Sequence, residues 1–248
     1  MDVVVLDDTE DVGAHVAALV ADAVARDPDL VLGVATGGTP LPAYRALARG
    51  SGDLSRVRLV ALDEYVGLPK GHPASYAAYV EREVATPLGV PRAHVLVPQG
   101  SGAALERRIA ALGGVDLQLL GIGRNGHLAF NEPGSALDSR SRVVALSETT
   151  RRDNAHAFGR DPVPTHAVTQ GLGTILEARH LVLLATGEAK ADAVAAALTG
   201  QVTPDCPASV IQRHRRVTVV LDRAAASALQ RRGSVDGAER ERIHHPQL

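Results

Sequence analysis

Short segments that are apolar at nearly every position constrain the fold of this chain more than any other feature. They are rich in Val and Leu, and longer segments with helical periodicity separate them. A strand with one face in water alternates apolar and polar residues, whereas a strand covered on both faces does not. We therefore predict buried strands at residues 3–6, 30–35, 57–62, 115–121, 180–185 and 217–221.

Amphipathic helices are predicted in the intervals between these strands. One begins at Thr9, interpreted as an N-cap followed by the acidic Glu10 and Asp11, and its apolar residues recur every three or four positions. A second, rich in Ala, covers about residues 188–198. The alternation predicts an α/β fold with a mostly parallel sheet, helices on both faces, and functional groups at the carboxyl ends of the strands.

The composition favours one domain without a nucleic-acid or membrane partner. A chain of 248 residues suits a single α/β domain, predicted over residues 1–230, with a polar tail at 231–248 that we expect to be frayed. Its 26 Lys plus Arg nearly balance 28 Asp plus Glu, so no overall field attracts nucleic acid or anionic lipid. The single Cys206 excludes an intrachain disulfide and a cysteine-rich zinc site. Without a signal peptide or a membrane-length apolar segment, a soluble cytoplasmic protein is predicted.

A glycine-rich turn at residues 121–126 leads into the segment where we expect the chemistry. It contains Asn125 and His127, and Glu132 follows five residues after the histidine. A histidine beside a carboxylate can transfer protons near neutral pH, and glycines let a ligand approach the backbone. The alternative is a solvated histidine in an ordinary turn of an α/β domain.

A second small-residue turn follows the predicted strand at residues 30–35. We interpret Thr39 as the N-cap and Pro40 as the first residue of the next helix, so that free N–H groups and hydroxyls form an anion site. No Lys-Ser/Thr pair follows the glycines, so the turn is not a P-loop. The alternative is a plain connection between a strand and a helix.

Two adjacent acids, Asp63 and Glu64, follow the predicted strand at residues 57–62. Acids in this position are often solvated, or they cap the next helix. Partial desolvation would instead make one of them a general base.

Together these segments resemble the glucosamine-6-phosphate deaminase family, also called glucosamine-6-phosphate isomerases. The likeness covers residues 1 to about 228, in the blocks LGVATGGTPLPAYRAL, LDEYVGLPKGHPASYAAYV, GIGRNGHLAFNEPGSALDSR, VPTHAVTQGLGTILEARHL and GEAK, followed by CPASVIQRH. The resemblance implies a modified Rossmann-type α/β fold. It also implies conversion of glucosamine 6-phosphate to fructose 6-phosphate and ammonia without an organic cofactor or a metal.

The resemblance also assigns roles to single residues. Asp63 matches the base that moves a proton between C2 and C1, His127 the group that opens the sugar ring, and Glu132 its acidic partner. Asn125 stands where many relatives have Asp, and its amide oxygen can orient the imidazole but adds no charge. The residues that match or adjoin the phosphate binders are Thr36, Gly37, Gly38, Thr39 and Lys190.

Two further departures concern charge. His156 aligns with a phosphate-contacting Arg of the family, although a histidine is only partly charged at neutral pH and lacks the arginine fork. At the positions through which some hexameric relatives bind an activating N-acetylglucosamine 6-phosphate, a hydroxyl and a cation are missing; these positions are Ser135, Ala136, Arg142 and Val144. We therefore expect little activation by that compound, and the sequence leaves homo-oligomerisation open.

Two alternatives stay open from the sequence. The first is a 6-phosphogluconolactonase-like hydrolase, which needs no base for C–H abstraction and is disfavoured by the segments at residues 63–65 and 131–133. The second is a non-catalytic sugar-phosphate sensor. The presence of Asp63, His127 and Glu132 argues against a sensor.

Overall fold

A computed structural model describes residues 1–50, 52–233 and 243–244. Its strands, in chain order, are β1 (Asp2–Leu6), β2 (Val31–Val34), β3 (Arg58–Ala61), β4 (Asp63–Tyr65), β5 (Val95–Leu96), β6 (Leu117–Gly121), β7 (Arg142–Ala145), β8 (His166–Thr169), β9 (His180–Ala185), β10 (Val217–Asp222) and β11 (Ile243–His244). The main sheet is parallel and has the order β11-β1-β10-β9-β6-β2-β3-β5. All predicted buried strands belong to it.

The α-helices are α1 (Thr9–Arg26), α2 (Leu41–Arg49), α3 (Tyr76–Val80), α4 (Thr86–Leu88), α5 (Gly102–Ala111), α6 (Glu148–Asn154), α7 (Leu172–Ile175), α8 (Ala191–Thr199) and α9 (Arg223–Gly233). A π-helical turn at Glu81–Ala85 joins α3 to α4, and 3₁₀ segments cover Arg92–His94, Ala155–Ala157, Glu188–Lys190 and Pro207–Arg213.

Two separate hydrophobic cores cover the two faces of the main sheet. Along β9, Leu181 and Leu183 belong to one core with α5, α8 and α9, whereas Val182 and Leu184 belong to the other with α1 and α2. Residues 181–185 of β9 are therefore all in contact with apolar neighbours, which is why this part of its sequence does not alternate. The predicted α/β fold with helices on both faces is confirmed.

Two helix starts differ from the prediction. The N-cap of α1 is Asp8, whose Oδ1 accepts the N–H groups of Glu10 and Asp11 at 2.9 and 3.0 Å, so Thr9 is already helical. The N-cap of α2 is Pro40 and no side chain caps it, so the interpretation of Thr39 as N-cap is also wrong. In both places neighbouring residues could serve as the cap, and the local sequence does not separate such positions.

A small antiparallel sheet, β4-β8-β7, was not predicted from the sequence. The chain passes from β3 into β4 at Leu62, whose carbonyl oxygen accepts the N–H of Gln170 at 2.8 Å. Asp63 then pairs with Thr169. The small sheet therefore holds Asp63 at the end of the main sheet.

The predicted tail is described only in part. Residues 231–233 extend α9, and β11 pairs in parallel with β1; the remaining residues of 231–248 lie outside the described part of the chain. Among the residues that the structure describes, no helix combines the length and the apolar character that crossing a membrane requires.

Candidate active site

A cavity of about 280 Å³ lies at the carboxyl ends of four adjacent strands, β9, β6, β2 and β3. After β2 the chain continues outward to β3, and β6 returns to the other side of β2, so the direction of winding reverses between β2 and β6. Loops diverge at such a reversal and leave a crevice, which is the usual ligand position in an open α/β sheet. Each of the four strands leads into a predicted site segment.

Asp63 lines this cavity although its residue surface is only 5% exposed. Burial raises the pKa of its carboxyl well above the ordinary range, and the neighbouring Glu64 charge raises it further. A carboxylate with a raised pKa is a stronger base than a solvated one, because its conjugate acid is more stable. The position and the environment of Asp63 thus suit abstraction of a proton from carbon.

Glu64 has a different environment from its neighbour. Its carboxylate accepts the backbone N–H groups of Tyr65, Tyr76 and Ala77 at 2.8, 3.0 and 2.7 Å. The last two donors belong to the first turn of α3, so Glu64 caps that helix. Of the two interpretations of the adjacent acids, capping therefore fits Glu64 and a buried base fits Asp63.

The imidazole of His127 also lines the cavity, and Asn125 orients it. The Asn125 Oδ1 accepts the backbone N–H of His127 at 3.2 Å, which identifies this atom as the acceptor. The same oxygen lies 2.7 Å from the ring Nδ1, so Nδ1 must carry the hydrogen. The neutral ring then has its lone pair on Nε2.

Burial lowers the pKa of His127, and the Lys190 charge lowers it further, while Glu132 and Asp153 oppose the shift. The neutral imidazole therefore predominates near neutral pH and can accept a proton. The turn before it requires a glycine, since a Cβ on Gly123 would lie 2.2 Å from the ring Nδ1. This close approach places the ring directly against the carboxyl end of β6.

The predicted anion turn forms another wall of the cavity. Residues 36–39 all line it, and Gly37 has φ +94°, a conformation that favours glycine. Tyr79, at the end of α3, donates its hydroxyl to the Gly37 carbonyl oxygen at 2.7 Å. Tyr44 donates to the Ala35 carbonyl oxygen at 2.8 Å and accepts the Ala35 N–H at 3.0 Å. Two tyrosines thus fix the backbone of the turn from outside the cavity.

Two cations stand near each other at the cavity wall, Lys190 and Arg124. Burial lowers the pKa of Lys190, and the charge of Arg124 lowers it further. Arg124 donates to the carboxylate of Asp153 in α6, with Nη2 and Oδ2 2.8 Å apart. The cavity thus combines a basic wall with the buried Asp63 and the neutral His127.

Comparison with known proteins agrees with this geometry. The family model described as glucosamine-6-phosphate isomerases/6-phosphogluconolactonase matches residues 7–220. The chain belongs to this family. It is 53% identical over 243 residues to a glucosamine-6-phosphate deaminase of Streptomyces avermitilis, with 93% of each chain covered.

Among solved structures, a monomeric glucosamine-6-phosphate deaminase superposes with a TM-score of 0.88 at 40% identity, covering 92% of this chain and all of the other. The 6-phosphogluconolactonase of Trypanosoma brucei superposes with a TM-score of 0.75 at 20% identity, covering 92% of this chain and 98% of the other. At that identity the likeness to the lactonase shows the fold alone.

Three residues that the family resemblance places in the site are not among those that line the cavity: Asn125, Glu132 and His156. Asn125 is hydrogen-bonded to the His127 ring, which does line it. Glu132 accepts the N–H of Ser147, the N-cap of α6, at 3.3 Å, and it reaches His127 through its charge alone. His156 is exposed in the 3₁₀ segment after α6, and its Nδ1 lies 2.9 Å from the Asp153 carbonyl oxygen. Their predicted roles stay predictions.

The contributions of α6 and of the aromatic residues to the site were not predicted from the sequence. Thr150, Asp153 and Asn154 of α6 line the cavity together with Arg124. The chain has four Tyr, two Phe and no Trp. Besides the two tyrosines that hold the anion turn, the others pack together beside Asp63 in one cluster: Tyr65, Tyr76, Phe130 and Phe158. Because the chain has so few aromatic residues, their recurrence near the predicted site segments could have indicated that they surround the site.

A second cavity, of about 390 Å³, lies near the amino ends of β9 and β10. Its lining comes from residues 176–179 and 213–215 and includes none of the predicted site residues. Arginines supply most of its charge. Larger volume alone therefore does not identify the site, and we place the chemistry at the carboxyl ends of the strands.

Proposed function

We propose that this protein converts glucosamine 6-phosphate and water to fructose 6-phosphate and ammonia. The observation that carries the proposal is that the buried carboxyl group of Asp63 shares one cavity with the imidazole of His127 and the glycine-rich turn at residues 36–39. Moving a proton from carbon to carbon needs a desolvated base, and opening a sugar ring needs a separate acid and base. The relatives at about half identity that are named glucosamine-6-phosphate deaminase support the same reaction.

The first step opens the pyranose ring. The Nε2 of His127 accepts the proton of the C1 hydroxyl and returns it to the ring oxygen as the bond between that oxygen and C1 breaks. Asn125 keeps the proton on Nδ1, so that Nε2 is the nitrogen that takes part. The Glu132 carboxylate favours the transient imidazolium through its charge.

The second step is the isomerisation. Asp63 removes the proton from C2, the C1 oxygen takes a proton from the substrate's own ammonium group, and a neutral enolamine forms with a double bond between C1 and C2. Asp63 then returns its proton to C1, which leaves a protonated imine at C2. Addition of water to that imine and loss of ammonia give the ketone of fructose 6-phosphate.

In this proposal the anion turn and Lys190 bind the phosphate group of the substrate. The turn at residues 36–39 connects β2 to α2, and Lys190 follows β9. Both line the same cavity, with β6 between the two strands. Backbone N–H groups and an ammonium are the donors that phosphate sites commonly use. The anion turn and Lys190 thereby orient the sugar so that its C1 and C2 atoms lie toward Asp63 and His127.

The experiment is an assay of ammonia and fructose 6-phosphate released by the purified protein from glucosamine 6-phosphate, with Asp63→Asn as the matched variant. The proposal expects both products in equal amounts from the wild type and a large loss in the variant. Hydrolysis of 6-phosphogluconolactone without ammonia release would favour the lactonase instead. Binding of the amino-sugar phosphate without turnover would favour a sensor.

A further inference from the structure

The cation at position 124 was not assigned any role by the sequence. Arg124 follows Gly123 in the turn after β6, three residues before His127, and it is one of the residues that line the cavity. Its charge acts on Lys190, the other cation of the cavity, because the two side chains share one wall. A phosphate dianion placed beside Lys190 would therefore also meet Arg124.

His156, which the family resemblance aligns with a phosphate-contacting Arg, is not among the residues that line the cavity. It is exposed, and its ring Nδ1 is hydrogen-bonded to the backbone carbonyl oxygen of Asp153. Arginine presents several N–H donors in a planar fork that matches phosphate oxygens, which an imidazole does not. Among the described residues that line the cavity, Arg124 and Lys190 are the side chains with a permanent positive charge.

The ion pair between Arg124 and Asp153 is a weak interaction. The pair of Arg124 with Asp153 is exposed, at 60% and 47% of the two side chains. Exposed ion pairs contribute little to stability, since water already screens both charges. A phosphate dianion enclosed by the anion turn and Lys190 can therefore compete with Asp153 for the guanidinium.

We propose that Arg124 binds the substrate phosphate together with Lys190, and that it leaves Asp153 when the substrate enters. The inference rests on the proposed amino-sugar phosphate reaction. Asp153 then has a definite role: in the free protein it holds Arg124 at the mouth of the cavity, and it competes with the phosphate. Removing the guanidinium and removing the carboxylate should consequently have opposite effects on affinity.

The test compares Arg124→Gln and Asp153→Asn with the wild type in steady-state deamination of glucosamine 6-phosphate. Arg124→Gln should raise KM roughly ten-fold to a hundred-fold, the usual effect of losing one charge-assisted contact. Asp153→Asn should lower KM by up to about five-fold, since only an exposed pair is removed. Arg152→Gln is the matched control: Arg152 lies on α6, pairs with Glu148 and does not line the cavity, so KM should stay within about two-fold.

A purely structural role of the ion pair between Arg124 and Asp153 would give a different result. Arg124→Gln and Asp153→Asn would then break the same ion pair and change KM in the same direction. That outcome would overturn the inference. A rise of KM in His156→Gln together with an unchanged KM in Arg124→Gln would overturn it as well.

Calorimetric titration with inorganic phosphate separates this inference from the proposed reaction. The wild type should bind phosphate more tightly than Arg124→Gln and less tightly than Asp153→Asn, whether or not any sugar is turned over. Equal phosphate affinity in the three proteins would refute the role of Arg124. Absence of ammonia release with the expected order of phosphate affinities would refute only the proposed reaction.

Discussion

Replacing Asn125 by Asp should raise the pKa of His127 and shift its activity profile to higher pH. In the present structure a neutral amide oxygen lies 2.7 Å from Nδ1, and burial holds the pKa of the ring below its ordinary value. A carboxylate in the same place adds a charge that favours the imidazolium without changing the size of the side chain.

The magnitude follows from the geometry. Two unit charges about 4 Å apart attract each other by about 1 kcal/mol in bulk water and about 4 kcal/mol near a protein surface. One pKa unit corresponds to about 1.4 kcal/mol, so the ring pKa should rise by roughly 1 to 3 units. Since His127 is partly buried, the rise of the ring pKa should exceed the lower limit, which applies to charges in bulk water.

The measurement is the titration of the His127 ring by NMR, together with the pH profile of kcat/KM. Because the proposed ring opening uses the neutral imidazole, the acid limb of the profile should move to higher pH in Asn125→Asp. Asn154→Asp is the matched control, since Asn154 also lines the cavity but the ring Nδ1 is hydrogen-bonded to Asn125 instead, and the shift in this variant should be smaller. A shift below about 0.3 units in Asn125→Asp would refute the proposed contact.

Three further predictions concern Asp63, the stability contribution of Tyr44, and the form of the kinetics. Asp63→Asn should bind glucosamine 6-phosphate, measured by calorimetry, yet lose at least about two orders of magnitude in kcat, and activity within a few-fold of the wild type would remove Asp63 from the mechanism. Tyr44→Phe should lower the free energy of unfolding in urea by about 2–4 kcal/mol, because the buried N–H and C=O groups of Ala35 lose their partner; an unchanged midpoint would contradict this. Kinetics should be hyperbolic without strong activation by N-acetylglucosamine 6-phosphate, since Ala136 and Val144 supply neither a hydroxyl nor a cation. Sigmoidal curves that this compound makes hyperbolic would show the opposite.

The main sheet could be predicted because burial on both faces leaves a local trace. The segment at residues 180–185 is apolar at nearly every position, and β9 has the same bounds. The strands of the small sheet left no comparable trace: β4, β7 and β8 are three or four residues long and include charged or exposed positions. β5, with two residues at the edge of the main sheet, is shorter than any periodicity can identify.

The site could be predicted in part for a similar reason. Asn125 and His127 are two residues apart, so one turn of backbone brings them together and the motif contains their geometry. Arg124 and Asp153, in contrast, are 29 residues apart, the first in the turn after β6 and the second in α6. Nothing in the local sequence of either residue indicates the other.

By itself the sequence determined which segments are buried strands, where the glycine-rich turns lie, and which side chains can transfer protons or bind an anion. These properties depend on neighbouring residues along the chain. Only the tertiary structure decided that β6 lies between β9 and β2, so that four loops meet at one crevice. It also decided that Asp63 is buried while Glu64 caps a helix, and that Arg124 rather than His156 faces the cavity. The physical reason is that desolvation and long-range contacts arise from packing between distant segments, and local sequence carries little information about that packing.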